Sequence, residues 1–267
     1  MFQAGTILLS MFLLLPALAQ AQEIVTLETR PGVTLSFFIA NMGGRKPEAA
    51  ALLLIGGGGN INLREEGGQI KFGQGNFLPR SRREFIRNGI LPVILDNPSD
   101  QQAGSGMSDA FRESAAHGTD VRAIVAEVKK RHPGLPVFVV GTSRSTLSAA
   151  HLALALEGEI AGVVLSASYF YGGGRAKPPM LVSFNWSKVK IPLLVVHHVD
   201  DGCASTPYYE AERLGRRFPL ISVWGGKPPE SGPCDPLAPH GFFGKEAETV
   251  DAIAAWMLGK PFAKEIR

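Results

Sequence analysis

The sequence predicts an α/β fold: a mainly parallel, twisted sheet with helices on both faces. Three observations carry this. Short continuous apolar runs recur along the chain without the alternation of a half-exposed strand, and such runs suit strands buried on both faces. Helical stretches separate them, and strand–helix alternation is the pattern of a parallel sheet joined by crossovers. The 267 residues are 45% hydrophobic and 19% charged, which is enough apolar material for a large core in a single unit.

The elements follow in order. Residues 1–21 contain no charged side chain, and their apolar run, residues 7–15, is shorter than the roughly 20 residues a bilayer span needs. The run leads into Ala17-Leu18-Ala19 and Ala19-Gln20-Ala21, two A-x-A patterns that predict a cleaved secretory signal. No cysteine follows it to carry a lipid. The mature chain is therefore expected to be one domain, residues 22–267, in the periplasm or outside the cell. EIVTLETR and VTLSFFIA flank Pro31-Gly32 and predict a leading antiparallel hairpin. Apolar runs at 50–56, 90–96, 136–141, 161–167, 192–198 and 219–225 predict buried strands. Helices are expected near 77–88, 113–131, 145–157, 206–217 and 245–258. The arginines of RSRREFIR, residues 80–87, read as a solvated helix face. A net charge of +3 is too mild to imply nucleic acid. No later segment is apolar and long enough to span a membrane.

Ligands of such sheets bind beyond the carboxyl ends of the strands, so the residues just after each run decide function. They are Gly56-Gly57-Gly58-Gly59-Asn60, then Gly141-Thr142-Ser143-Arg144-Ser145, then His198-Val199-Asp200-Asp201; His240-Gly241-Phe242 precedes the last helix. A glycine loop, a serine, an acid and a histidine thus follow in the order Ser, Asp, His. Ser143 stands between a buried strand and an alanine-rich helix. A nucleophile there needs small residues two before and two after it, because strand and helix approach closely. Gly141 meets this; Ser145 stands where the final glycine of G-x-S-x-G would be. His240 is the candidate base, taking the Ser143 proton and returning it to the leaving group. The acid is Asp200 or Asp201. His197 and His198 read as structural or pocket-lining. His117 and His151 fall on predicted helices, His117 with a substrate contact left open.

The glycine loop matches neither a Walker A loop nor G-x-G-x-x-G. Glycines let backbone approach a substrate closely. Gly58 or Gly59, open by one residue within 57–60, and Arg144 are the candidate oxyanion-hole N–H donors. Cys203 and Cys234 form no C-x-x-C, and a pair in an exported chain is read as a disulfide. It would tie the acid loop to the base loop. Neither metal nor cofactor is called for.

On GGGGN, GTSRSTLSAA, HHVDDGC and HGFFG, across residues 49–258, the chain resembles a serine hydrolase of the α/β-hydrolase superfamily. DNPSD and GTSRSTLSAAHLA resemble, more narrowly, exported bacterial α/β-hydrolases without assigned substrates. The resemblance implies an esterase-like activity on a small-molecule ester or related acyl bond through an acyl-serine. Many hydrolases of this fold carry a histidine, a glycine, two variable residues and then the acid; resemblance to them implies Asp201, with His198 in the glycine's place. A peptidase or amidase with the same triad, and a non-catalytic binding protein on the same scaffold, stay open. Residues 168–190, with Tyr169, Phe170, Tyr171 and Phe184, are expected to form a short lid, and residues 96–108 to line the pocket. Oligomeric state is not legible.

Overall fold

The apolar runs form strands whose alternate residues feed two separate cores. This computed structural model describes residues 22–173 and 178–267. The expected signal, residues 1–21, lies outside the described residues, as do residues 174–177 of the expected lid. The hairpin is β1 (Glu23–Arg30) and β2 (Val33–Ile39). There follow β3 (Ala49–Leu54), the short β4 (Arg64–Glu66) and β5 (Gln69–Lys71), α1 (Phe77–Arg80), α2 (Arg82–Arg87) and β6 (Ile90–Pro98). Next come α3 (Asp109–Arg112), α4 (Ala115–Arg131), β7 (Val137–Thr142), α5 (Ser145–Ala155) and β8 (Gly162–Ser166). The chain closes with β9 (Leu193–His198), α6 (Tyr208–Gly215), β10 (Leu220–Val223), α7 (Glu246–Met257) and β11 (Glu265–Ile266).

Nine strands make one sheet in the order β1-β2-β6-β3-β7-β8-β9-β10-β11. The pairings β1–β2 and β2–β6 are antiparallel and all others parallel. Leu52, Val137 and Val139 join Val121 of α4, Leu147 of α5 and Leu214 of α6 on one face. Ala51, Leu53, Phe138 and Val140 join Phe77, Phe85 and Val250 on the other. The central strands β3, β6, β7, β8 and β9 are buried along their whole length because both faces are covered, which erases the period-2 signal.

Local chemistry set the boundaries that the apolar pattern missed. The expected helix 77–88 is two helices parted at Ser81 (φ −91°, ψ 13°); Pro79 has no N–H for the carbonyl of Gly75, and the Arg80 guanidinium takes it instead. The expected helix 113–131 is one helix, α4, and a separate short helix, α3, precedes it. The Ser108 hydroxyl caps α3 through Phe111 N (3.1 Å) and the Ser114 hydroxyl caps α4 through His117 N (3.2 Å). The hairpin β4–β5 turns on Gly67 and Gly68, both at positive φ, and carries no apolar stripe to announce it.

One topological fact positions the site. From β3 the chain goes to β6 on one side and later to β7 on the other. The order reverses there, and the crevice beyond the carboxyl ends of β3 and β7 is where such sheets bind ligands. The glycine loop leaves β3 and Ser143 leaves β7 side by side.

Candidate active site

Ser143 sits at φ +53°, a conformation that costs a non-glycine residue roughly 1–3 kcal/mol and persists only when its surroundings enforce it. Those surroundings are on hand. Ser143 N donates to Ser166 O (2.9 Å), and the Thr146 hydroxyl donates back to Ser143 O (2.6 Å). Gly141 is obligatory: a Cβ there would lie 2.6 Å from Ser145 O and 3.0 Å from Ala149 Cβ. Ser145, in the second glycine's place, is fully buried. Its hydroxyl donates toward Leu54 O (2.6 Å), with Thr142 O at 2.9 Å, and accepts from Thr142 N (2.8 Å). The departure from the motif is therefore a hydrogen-bonded strut between the ends of β3 and β7.

Asp201 follows β9 and its side chain is completely buried. Its Oδ2 accepts from His240 Nδ1 (3.0 Å) and the Thr206 hydroxyl (2.8 Å), with His197 Nε2 at 3.5 Å; its Oδ1 accepts from Cys203 N (2.9 Å). Burial alone would raise the Asp201 pKa, but the hydrogen bonds from His197 and His240 outweigh it and hold the carboxyl well below its usual range. Asp200 is exposed and makes only a turn contact, its N–H donating to His198 Nδ1 (3.1 Å). The structure thus brings Asp201, not Asp200, to His240.

His240 is 4% exposed, and its Nε2 is buried with no hydrogen-bond partner among the described residues. It shares with Ser143 a cavity of about 220 Å³, walled also by Gly56, Gly57, Asn76, Phe77 and Cys234–Pro236. No hydrogen bond joins Ser143 Oγ to His240 Nε2; such bonds commonly tighten only around substrate. The Cys203–Cys234 disulfide is formed, with the two Cα atoms 4.6 Å apart. It joins the Asp201 turn to the cavity wall just ahead of His240.

The glycine loop needs a correction of one position. Gly58 and Gly59 do not line the cavity; Gly56 and Gly57 do. Gly59 N–H is spent on Gly56 O (3.1 Å). Added Cβ atoms would place Gly58 2.3 Å from Ser105 O and Gly59 2.5 Å from Asn97 Oδ1, so these two glycines serve packing. In a trans peptide N–H and C=O point oppositely. With Gly56 O turned toward Gly59, the N–H of Gly57 faces outward. The Arg144 N–H, at the mouth of α5, has no backbone partner, and its guanidinium is held by Asp109 (2.6 Å).

A family model described as serine aminopeptidase, S33, matches residues 84–219. The chain belongs to this family of α/β-hydrolases. The match spans Ser143 and Asp201 and ends before His240. Among solved structures, the hydrolase is similar to Est1E from Butyrivibrio proteoclasticus bound to ferulic acid (13% identity, TM-score 0.59, covering 88% of this chain and 100% of that one). It is also similar to an α/β serine hydrolase homologue from Coxiella burnetii (13%, 0.56, 89% and 96%). A third is a lidless α/β serine hydrolase from Xanthomonas campestris (16%, 0.52, 86% and 93%). At these identities the likeness is one of fold. No curated protein matches the sequence.

Several residues of the hydrolase's site escaped the sequence. Arg112, 1% exposed, donates to Gly57 O (2.8 Å) and to the Ser148 hydroxyl (3.2 Å). Burial, with Arg144 nearby, pushes its pKa down to about 10. Arg80, expected on a solvated face, instead reaches Gly241 O (2.9 Å) and Pro236 O (3.1 Å), tying α1 to the base loop. Residues 96–108 do not line the cavity; they brace its glycine loop, Asn97 Nδ2 and Met107 N both donating to Gly58 O at 2.9 Å. Asp96 accepts from Ile61 N and Leu63 N. The expected aromatic lid is likewise displaced. Tyr169 and Phe170 are buried, Phe184 stacks with Trp186, and none of the described residues of 168–190 lines the Ser143 cavity. His117 does not line it either, and His151 faces a second cavity with Phe184. His197 and His198 bond Thr206 O and Gly225 O, structural roles. Among the described residues no cluster of His, Cys, Asp or Glu is arranged to hold a metal.

Proposed function

We propose that this hydrolase cleaves a carboxylic ester, or a related acyl bond, through an acyl-enzyme on Ser143. The observation that carries the reading is the Asp201–His240 hydrogen bond placed in one cavity with a serine at positive φ. His240 Nε2 takes the Ser143 hydroxyl proton as the oxygen adds to the substrate carbonyl. Asp201, ionised and buried, orients the ring through Nδ1–H and stabilises the imidazolium. The N–H groups of Gly57 and Arg144 receive the oxyanion, a contribution worth about 10²–10³ in rate per donor in such sites. The imidazolium then protonates the leaving alkoxide; water, deprotonated by the same nitrogen, releases the acid and restores Ser143.

A cavity of about 220 Å³ favours short acyl or alcohol groups. Fluorophosphonate labelling with mass mapping tests the reading. Wild-type protein is expected to be modified at Ser143 and to turn over short p-nitrophenyl esters, and Ser143→Ala to lose both. An unlabelled wild type would sink the proposal. A p-nitroanilide paired with each ester separates amide from ester cleavage. The disulfide supports an oxidising, extracytoplasmic compartment, and no helix among the described residues is long and apolar enough to cross a membrane.

A further inference from the structure

The cavity beside Ser143 holds a side-chain donor, the Asn76 amide, that neither the fold nor the proposed chemistry uses. Asn76 is the N-cap of α1, and its Oδ1 accepts from Leu78 N (3.3 Å). This fixes the amide. An amide has two ends, and with the oxygen bound to the helix its NH₂ must face the other way. The other way is the cavity. Asn76 lines it, and Nδ2 lies 3.4 Å from the point a Cβ on Gly56 would occupy, which is itself 3.0 Å from Ser143 Cβ. Nδ2 has no acceptor among the described residues, and Asn76 is only half-buried, so its donor is reachable. Around it the cavity is lined by Ile55, Phe77 and the glycines, with the polar residues Thr142 and Asp235 also on its wall.

Resting on the ester-hydrolase reading, we infer that Asn76 is a specificity-determining residue. Its NH₂ donates to a hydrogen-bond acceptor on the substrate, an ether, hydroxyl or carbonyl oxygen within a few bonds of the scissile carbonyl. The substrate class is therefore a short, oxygen-bearing ester rather than a plain alkyl ester. The arrangement rejects an all-carbon isostere because a donor shielded from water would be left unpaired.

Two isosteric pairs test this: p-nitrophenyl methoxyacetate against p-nitrophenyl butyrate, which differ on the acyl side, and 2-methoxyethyl acetate against butyl acetate, which differ on the alcohol side. The quantity read is the kcat/KM ratio within each pair, divided by the same ratio for a variant, so that intrinsic reactivity cancels. Asn76→Asp keeps the capping oxygen and removes the donor; Asn76→Ser keeps a cap in a shorter side chain. Thermal melts establish that each is folded. One pair is expected to lose about 3- to 10-fold of its preference for the oxygen-bearing ester in Asn76→Asp, the effect of one neutral hydrogen bond, and to lose preference in Asn76→Ser too. The pair that moves says which side of the ester Asn76 meets. Ratios unchanged in both pairs, in folded variants that label at Ser143, overturn the inference while leaving the hydrolase reading intact. A wild type that neither labels nor turns over removes that reading first.

Discussion

At His117 a buried titratable group makes an acid-side prediction independent of any substrate. The ring is 2% exposed, lies against Phe111 (centroids 5.6 Å apart), and has no hydrogen-bond partner on either nitrogen among the described residues. Burial, with Arg112 and Arg30 nearby, pushes its pKa down to about 3. An unfolded histidine titrates near 6.5, so between about pH 6.5 and 3 the unfolded chain binds a proton that the folded one does not. Stability is therefore expected to fall as pH drops through that window, by up to about 1.4 kcal/mol per unit from this residue. Urea melts of wild type and His117→Leu from pH 8 to 4 should differ in slope, the variant being flatter; parallel slopes would show that His117 titrates normally. At this scale the sequence was legible where order and spacing carry information. Ser143 and Asp201 follow strand ends and His240 precedes the last helix, an order visible in the sequence, and the fold brings His240 to Asp201 and into one cavity with Ser143. Thr206 and Arg112 were not legible, since a threonine in a turn and an arginine on a short helix look the same whether buried or solvated.

The glycine loop shows what is lost at the scale of an element. Four consecutive glycines carry no side chain to mark which peptide faces the crevice. The answer is set by the Gly56–Gly59 turn and by partners distant in sequence: Asn97, Met107 and Arg112. Arg112 is the informative one. It has no carboxylate partner within ion-pair distance among the described residues, so its charge is held by carbonyl and hydroxyl dipoles. Methionine matches much of the arginine's volume but leaves Gly57 O without its donor, at a cost of about 1–3 kcal/mol in stability. Arg112→Met is expected to cost about 10-fold or more in kcat, with KM less affected, by freeing Gly57 O and misaligning the N–H of the same residue, less than the full loss of a donor. A lowered melting temperature with kcat preserved would assign Arg112 to folding alone. The helix break at Ser81 and the separate short helix α3 were hidden for a related reason. Apolar periodicity continues across them, while caps and a proline decide where the backbone turns.

Across the whole molecule the sheet order does most of the positioning. The alternation of apolar runs and helices was enough to read a parallel sheet, but not the order in which the strands pair, because buried strands resemble one another. Only that order puts the loop after β3 beside the turn after β7. The proposed acid and base, Asp201 and His240, come from further along, beyond β9 and ahead of α7, and here the disulfide enters. Its sequence separation of 31 residues corresponds to about 3–4 kcal/mol of stabilisation on the chain-entropy model. A Cys203→Ala/Cys234→Ala variant is expected to lose an amount of that order in urea melts, and a loss near zero would mean the loop is held without it. The two halves of the apparatus are thus secured by different means. Ser143 and the glycine loop are fixed by strands at the centre of the sheet; one wall of the cavity and the Asp201 turn share a covalent bond whose Cys234 end is exposed. In a buffer containing dithiothreitol the serine is expected to stay in place while the opposite wall loosens, so an assay run in it would under-report activity even where the chain, though less stable, is still folded.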